Sequence, residues 1–231
     1  MTRNVAKLAQ PPRIARSGIQ PLTPEEVRIF LAAIEGNRHE ALFLVALGVG
    51  LRQGEVLGLT WSDIDLTAAT IRVRHALQRV DGRLELVEPK SVTSRRVVPA
   101  PAIVLDALRE HRRRQLREHL LAGSRWHDDP RDLVFTTTVG TLMDGVAVTR
   151  RFKAFVATAG LPDQRFHDLR HACASLLLAQ GVAPRVVMET LGHSQISLTL
   201  NTYSHVIPAL GREPADRMDA MLRPGATRRH A

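Results

Sequence analysis

The chain has 231 residues, 44% hydrophobic and 24% charged, which excludes a disordered or fibrous polymer and allows one well-buried domain with tails. No apolar run reaches the roughly 18 residues of a membrane span, and the single cysteine, Cys173, excludes an internal disulfide. The net charge of +9 rests on 32 basic residues, of which only Lys7, Lys90 and Lys153 are lysines, an arginine excess suited to gripping phosphate oxygens.

Residues 1–20, with Pro11-Pro12, Arg13, Arg16 and Gly18, read as a tether. Thr23-Pro24-Glu25-Glu26 then predicts a capped helix start whose buried stripe is Val27, Phe30, Leu31 and Ile34. A nearly all-apolar helix follows over Ala41–Val49, ended by Gly50, and its lack of a polar face puts it in the core. Thr70–Arg74 alternates as a strand, Asp81-Gly82 predicts a hairpin turn, and Arg95–Val98 predicts a third short strand of one antiparallel sheet. From Pro101 the chain turns helical, with Ile103, Leu105, Leu108, Leu116 and Leu120 as the apolar stripe, and Leu121–Arg131 reads as a loop. Further helices are predicted at about 146–159, 168–180, 184–191 and 195–206, and a last amphipathic stretch from Pro214 to Leu222. The expected fold class is mainly α with a small three-stranded antiparallel β-sheet.

Three separated segments ask for the same chemistry. In Gly50-Leu51-Arg52-Gln53-Gly54-Glu55 an arginine stands between glycines at a helix start, either projecting into a cleft or simply solvated. In His167-Asp168-Leu169-Arg170-His171, positions 167 and 170 share a helix face near an N-terminus, an arrangement for holding a phosphate or for capping a helix with solvated charges. Leu191-Gly192-His193 precedes Tyr203, the only tyrosine. A phenol of pKa about 10 is a poor nucleophile at neutral pH unless fixed cations stabilise the charge it develops in attack on a phosphodiester. A lone tyrosine also packs, so the combination carries the reading.

That combination resembles the tyrosine recombinases of the phage-integrase type. Gly50-Leu51-Arg52-x-x-Glu55-Val56-Leu57-x-Leu59-x-Trp61-x-Asp63 is similar to the family's first arginine box. His167-x-x-Arg170-His171, Leu191-Gly192-His193 and Asn201-Thr202-Tyr203 resemble its second box in order and spacing. Lys90, in Pro89-Lys90-Ser91-x-x-Ser94-Arg95-Arg96, sits where the family places a lysine between two strands. The resemblance spans about residues 20–207.

It implies a DNA breaking-rejoining fold and a division into a linker (1–20) from a preceding DNA-clasping domain, a catalytic domain (21–207), and a C-terminal helix and tail (208–231). That last segment would dock either on its own domain or on a neighbouring protomer. The resemblance makes Tyr203 the nucleophile, Arg52, Arg170 and His193 the phosphate clamp, Lys90 the general acid and His167 the general base or a proton shuttle for Tyr203. Glu55 would orient the pocket, and His171 would support helix packing. It implies no cofactor, neither metal nor ATP. The partner would be double-stranded DNA at attachment sites, the state a homotetramer on DNA and a monomer in solution, with accessory DNA-bending or directionality factors. No membrane partner is implied, and the protein would be cytoplasmic. The competing expectations are a type IB topoisomerase, which relaxes DNA as a monomer, and a non-catalytic DNA-binding module, which forms no covalent adduct.

Overall fold

The computed structural model describes residues 21–88, 95–129 and 131–192. Helix α1 (Pro24–Ile34) begins as its sequence predicts: the Thr23 hydroxyl accepts from the Glu26 N–H, the Glu26 carboxylate accepts from the Thr23 N–H, and Pro24 needs no partner at the first turn. Val27, Phe30 and Ile34 are buried, while Leu31 only packs at the edge of the core.

Helix α2 (Glu40–Gly48) has every residue from Ala41 to Leu47 buried, so it is the axis of the core. Phe43 stands in edge-on and tilted contact with Phe30, Phe152, Phe155 and Phe166, at centroid distances of 5.8–6.2 Å. Such pairs gain about 0.5–1.5 kcal/mol each beyond the area they bury. Helix α3 (Gln53–Leu57) starts directly after Arg52, and a 3-10 turn at Trp61–Asp63 leads into the strands.

The strands are β1 (Ile64–Asp65), β2 (Thr70–Val73), β3 (Ala76–Val80), β4 (Arg83–Val87) and β5 (Arg96–Pro99). The expectation of one sheet needs correcting. An antiparallel three-stranded sheet exists, in the order β1-β2-β5, but β3 and β4 form a separate hairpin. A strand has two edges, and those of β2 are taken by β1 and β5, so β3, although it follows β2 in the chain, does not pair with it. The hairpin instead lies on α3, where the missing side chains of Gly54 and Gly58 make room. A Cβ at Gly54 would stand 2.8 Å from the Leu77 carbonyl oxygen, and one at Gly58 3.0 Å from Ala76 Cα. The Asp81-Gly82 turn is as predicted, with both residues at positive φ.

Helix α4 (Ala102–Ala122) corrects a second expectation. Its buried stripe is Val104, Leu105, Leu108, His111 and Gln115, whereas Ile103, Leu116 and Leu120 face solvent, Leu120 at 82% exposure. Polar side chains take the inward positions because the neighbouring segment offers them carbonyls. Gln115 Nε2 donates to the carbonyls of Leu133 and Val134, its Oε1 accepts from Trp61 Nε1, and His111 Nε2 donates to the Val134 carbonyl. The helix also runs further than predicted, to Ala122, with a 3-10 turn to Arg125.

Helices α5 (Gly145–Thr158), α6 (Asp168–Ala179) and α7 (Pro184–Leu191) complete the described fold close to their predicted bounds. Ala174, Leu178, Val187 and Leu191 of α6 and α7 form a small apolar cluster distinct from the main core. Among the described residues no helix is long and apolar enough to cross a membrane. The tether, the predicted helix at 195–206 and the Pro214–Leu222 stretch lie outside the described residues.

Burial, and then the neighbouring Arg38, lowers the pKa of His39 to about 4; burial likewise brings the fully enclosed His111 to about 4. Both rings stay neutral in the fold while an unfolded chain takes up protons below about pH 6.5. Stability is therefore expected to be level above about pH 6.5 and to fall as pH drops from there to about 4, by about 3 kcal/mol for each histidine. Urea unfolding at several pH values across that window measures it, and a flat profile would sink the assignment.

Candidate active site

The site grows from one short stretch, Gly50–Arg52, between α2 and α3. Gly50 holds φ at +69°, a left-handed turn that a side chain disfavours, and a Cβ there would stand 2.5 Å from Leu191 Cδ2 and 3.2 Å from Cys173 Sγ. The turn is thus pressed against α6 and α7. Cys173 belongs to this packing, with burial pushing its thiol up to about 12. From α6, Arg170 reaches the same turn, its Nη1 donating to the Gly50 carbonyl at 2.8 Å. Arg170 is only 2% exposed, so a cation has been brought into the interior against the turn that carries Arg52.

Arg52 occupies the residue before α3 in an extended conformation. The Glu55 carboxylate accepts from the Arg52 N–H at 3.0 Å and from Arg52 Nη1 at 2.8 Å. Arg52 Nη2 also approaches the Gly192 carbonyl at 3.4 Å. The Arg52 side chain remains 41% exposed, while Glu55 is 5% exposed beneath it. Burial by itself would raise the Glu55 pKa, but hydrogen bonds and charge from Arg96 and Arg52 outweigh that and hold its carboxyl below the usual range.

Arg96, at the start of β5, is the residue that motif spacing missed. Its fork donates to Glu55 through Nη1 at 3.3 Å and Nη2 at 3.0 Å, and its Nε donates to the Thr190 carbonyl at 2.8 Å. Strand alternation could have revealed it: Arg96 stands two residues before the buried Val98, on the inward face of β5.

At the start of α6, Asp168 caps the chain by accepting from the Arg165 N–H at 2.7 Å and pairing with the Arg165 guanidinium. Burial would raise its pKa, yet those Arg165 bonds hold it low. His167 keeps an exposed edge and lies edge-on to His171, with centroids 4.9 Å apart. Partial burial, then the charges of Arg170 and Arg52, hold His167 below the ordinary imidazole value. A neutral imidazole near pH 7 is able to accept a proton. Burial and the neighbouring His167 take His171 lower still, to about 4.

The structure therefore brings together Arg52, Glu55, His167, Arg170 and His171, and adds Arg96. Lys90, His193 and Tyr203 lie outside the described residues. The ends of the segment that carries Lys90 are described: Glu88, after β4, forms an ion pair with Arg95, before β5. The last described residue, Gly192, ends α7 in a left-handed cap against the Arg96 guanidinium, where a Cβ would stand 2.9 Å from Nη1. Chemically, the assembly is a group of cations with one half-open guanidinium, a buried carboxylate beneath it and a neutral imidazole beside it.

Comparison with known proteins returns one family. The sequence profile described as the phage integrase family matches residues 20–209. A tyrosine recombinase XerC-like protein of Caldanaerobacter subterraneus subsp. tengcongensis is 40% identical over 200 residues, covering 82% of this chain and 51% of that protein. The ICEBs1 integrase of Bacillus subtilis is 30% identical, covering 86% of this chain and 54% of its own length. The chain thus spans about half the length of these curated relatives. Among solved structures, the Tn1549 transposon integrase in complex with transposon right end DNA superposes with a TM-score of 0.74 at 25% identity, covering 96% of this chain and 71% of that one. The XerA recombinase shares the fold, at TM-score 0.64 and 22% identity over 94% of this chain and 68% of that one.

Proposed function

The chain belongs to the phage integrase family, and from that premise we propose that it is the catalytic part of a site-specific recombinase that integrates or excises a mobile element. The observation that carries this reading is the meeting of three distant segments at Gly50–Arg52, with Arg170 on the Gly50 carbonyl and Glu55 and Gly192 on Arg52. That convergence leaves a cation half open to solvent with a second cation buried against the turn that carries it, an arrangement complementary to the negative charge of a pentavalent phosphoryl transition state.

In the proposed reaction Tyr203 Oη attacks the scissile phosphorus and the bond to the 5′-oxygen breaks. The products are a 3′-phosphotyrosyl link and a free 5′-hydroxyl. Arg52 and Arg170, with His193, hold the non-bridging oxygens; His167 takes the phenolic proton; Lys90 gives a proton to the leaving 5′-oxygen. Attack by a 5′-hydroxyl from a partner strand reverses these steps and reseals the duplex. The covalent link conserves the phosphodiester energy, so neither ATP nor a metal enters the balance. The substrate is double-stranded DNA at attachment sites, engaged by four copies of the protein with accessory DNA-bending or directionality factors, in the cytoplasm. Residues 1–20 serve as a linker and 208–231 as the segment that docks between protomers.

The test is an SDS-resistant protein–DNA adduct on a nicked suicide duplex drawn from the element's attachment region. The adduct is expected to form equally with and without a chelator. Loss of the adduct in chelator would point to a metal-dependent nuclease. Binding with no adduct at all would leave a DNA-binding module, and relaxation of supercoils by a monomer would point to a topoisomerase.

A further inference from the structure

Arg96 differs from Arg52 in what it can reach. Its side chain is 8% exposed, against 41% for Arg52, and its fork is directed at protein acceptors, the Glu55 carboxylate and the Thr190 carbonyl. Its Nε, Nη1 and Nη2 each already donate to one of those acceptors. Its contacts do span the three elements that converge on the site: β5, on which it stands, α3 through Glu55, and the end of α7 through Thr190 and the close-packed Gly192. The last turn of α7 thereby receives a guanidinium on each side, Arg96 at Thr190 and Arg52 at Gly192, where helix carbonyls favour positive charge.

The charges add to the same conclusion. Glu55 paired with Arg52 alone would make a neutral couple, and the guanidinium meant for phosphate would be bound inward by a buried carboxylate with no other partner. With Arg96 included, two cations share one anion, and the group keeps a net positive charge on the exposed side.

We infer that Arg96 is a positioning residue for strand cleavage, which balances the buried Glu55 charge and locks α7 onto α3 so that Arg52 stays cationic and correctly aimed at the phosphate. This rests on the recombinase reading above.

The experiment compares Arg96→Met, Arg96→Lys, Glu55→Gln and the double variant Arg96→Met/Glu55→Gln. Adduct formation rate, duplex affinity and folding by near-UV circular dichroism are measured for each. Arg96→Met is expected to slow adduct formation by about 100-fold while duplex affinity stays within about threefold. Arg96→Lys keeps the charge but not the fork and is expected to lose about tenfold, which also serves if the Met variant does not fold. In the double variant the uncompensated carboxylate is gone, so about tenfold of the rate is expected to return. A purely structural role predicts that the two substitutions add instead. That result, or an Arg96→Met rate within about threefold of wild type, would overturn the inference.

A second readout separates this inference from the reading beneath it. The Glu55 carboxyl titration, followed by carbon-13 NMR, is expected to move upward in the Arg96 variants. If wild-type protein forms no adduct, the recombinase reading fails by itself. An unmoved Glu55 titration sinks the charge-balancing role whatever the DNA does.

Discussion

Tyr203→Phe is expected to bind duplex DNA as wild type does and to form no covalent adduct. Phenylalanine keeps the ring and its packing and removes only the oxygen that would bond to phosphorus. The chain has no second tyrosine to take over. A free phenol with a pKa of about 10 is mostly protonated at neutral pH, so its reactivity depends on the field around it. The described chain brings that field to its last residue: Gly192, a short stretch before Tyr203, lies at the Arg52 guanidinium. The rate is expected to fall by at least about 10⁴-fold, to the detection floor of a gel assay. An adduct surviving at more than about 1% would move the nucleophile to another side chain and end the assignment.

Arg170→Ala is expected to damage both the fold and the reaction, through the same atoms. Arg170 is among the largest fully buried side chains, and its Nη1 bond to the Gly50 carbonyl fixes the turn from which Arg52 projects. Truncation leaves a cavity next to a carbonyl that has lost its donor, costing about 3 kcal/mol in unfolding free energy. Because Arg170 also supplies positive charge toward the phosphate, adduct formation is expected to drop by about 10³-fold even where the protein is fully folded. Arg170→Lys divides the two effects. A single ammonium reaches the Gly50 carbonyl or the phosphate, not both in fork geometry, so stability should recover more than rate does. Urea unfolding and single-turnover adduct formation on the same samples decide it. Near-wild-type cleavage by a folded Arg170→Ala protein would remove this residue from the clamp.

Much of this arrangement was legible in the sequence because it is local. The Thr23–Glu26 capping box and the Asp81-Gly82 turn are local, and so is the unbroken apolar run of α2; a few neighbouring side chains decide each. Arg52, Glu55, His167 and Arg170 were legible in the same way, as short motifs with fixed spacing, and the structure draws them into one place. What the sequence hid depends on partners far along the chain. The hairpin stands apart from the sheet because β5, from far along the chain, takes the second edge of β2, and β3 packs on α3 instead. The inward stripe of α4 is hidden in the sequence because His111 and Gln115 look like surface residues until the carbonyls of 133–134 stand opposite them. The role of Arg96 is hidden in the sequence because its acceptors, Glu55 and Thr190, stand on two other elements, and only strand alternation hints that it points inward.

The separate apolar cluster of α6 and α7 bears on how any of these variants is to be judged. The main core, centred on α2, contains the large aromatic contacts, whereas among the described residues α7 meets α6 through Val187 and Leu191, the Gly50 turn through Leu191, and Arg96 and Arg52 through its last carbonyls. A small cluster separate from the main core opens at less free energy than the molecule as a whole. A melting temperature reports the first of these reservoirs and is nearly blind to the second. A substitution at α7 can therefore leave the thermogram untouched and still take apart the assembly that the chemistry requires, so that "folded" and "competent" become two separate measurements for this protein.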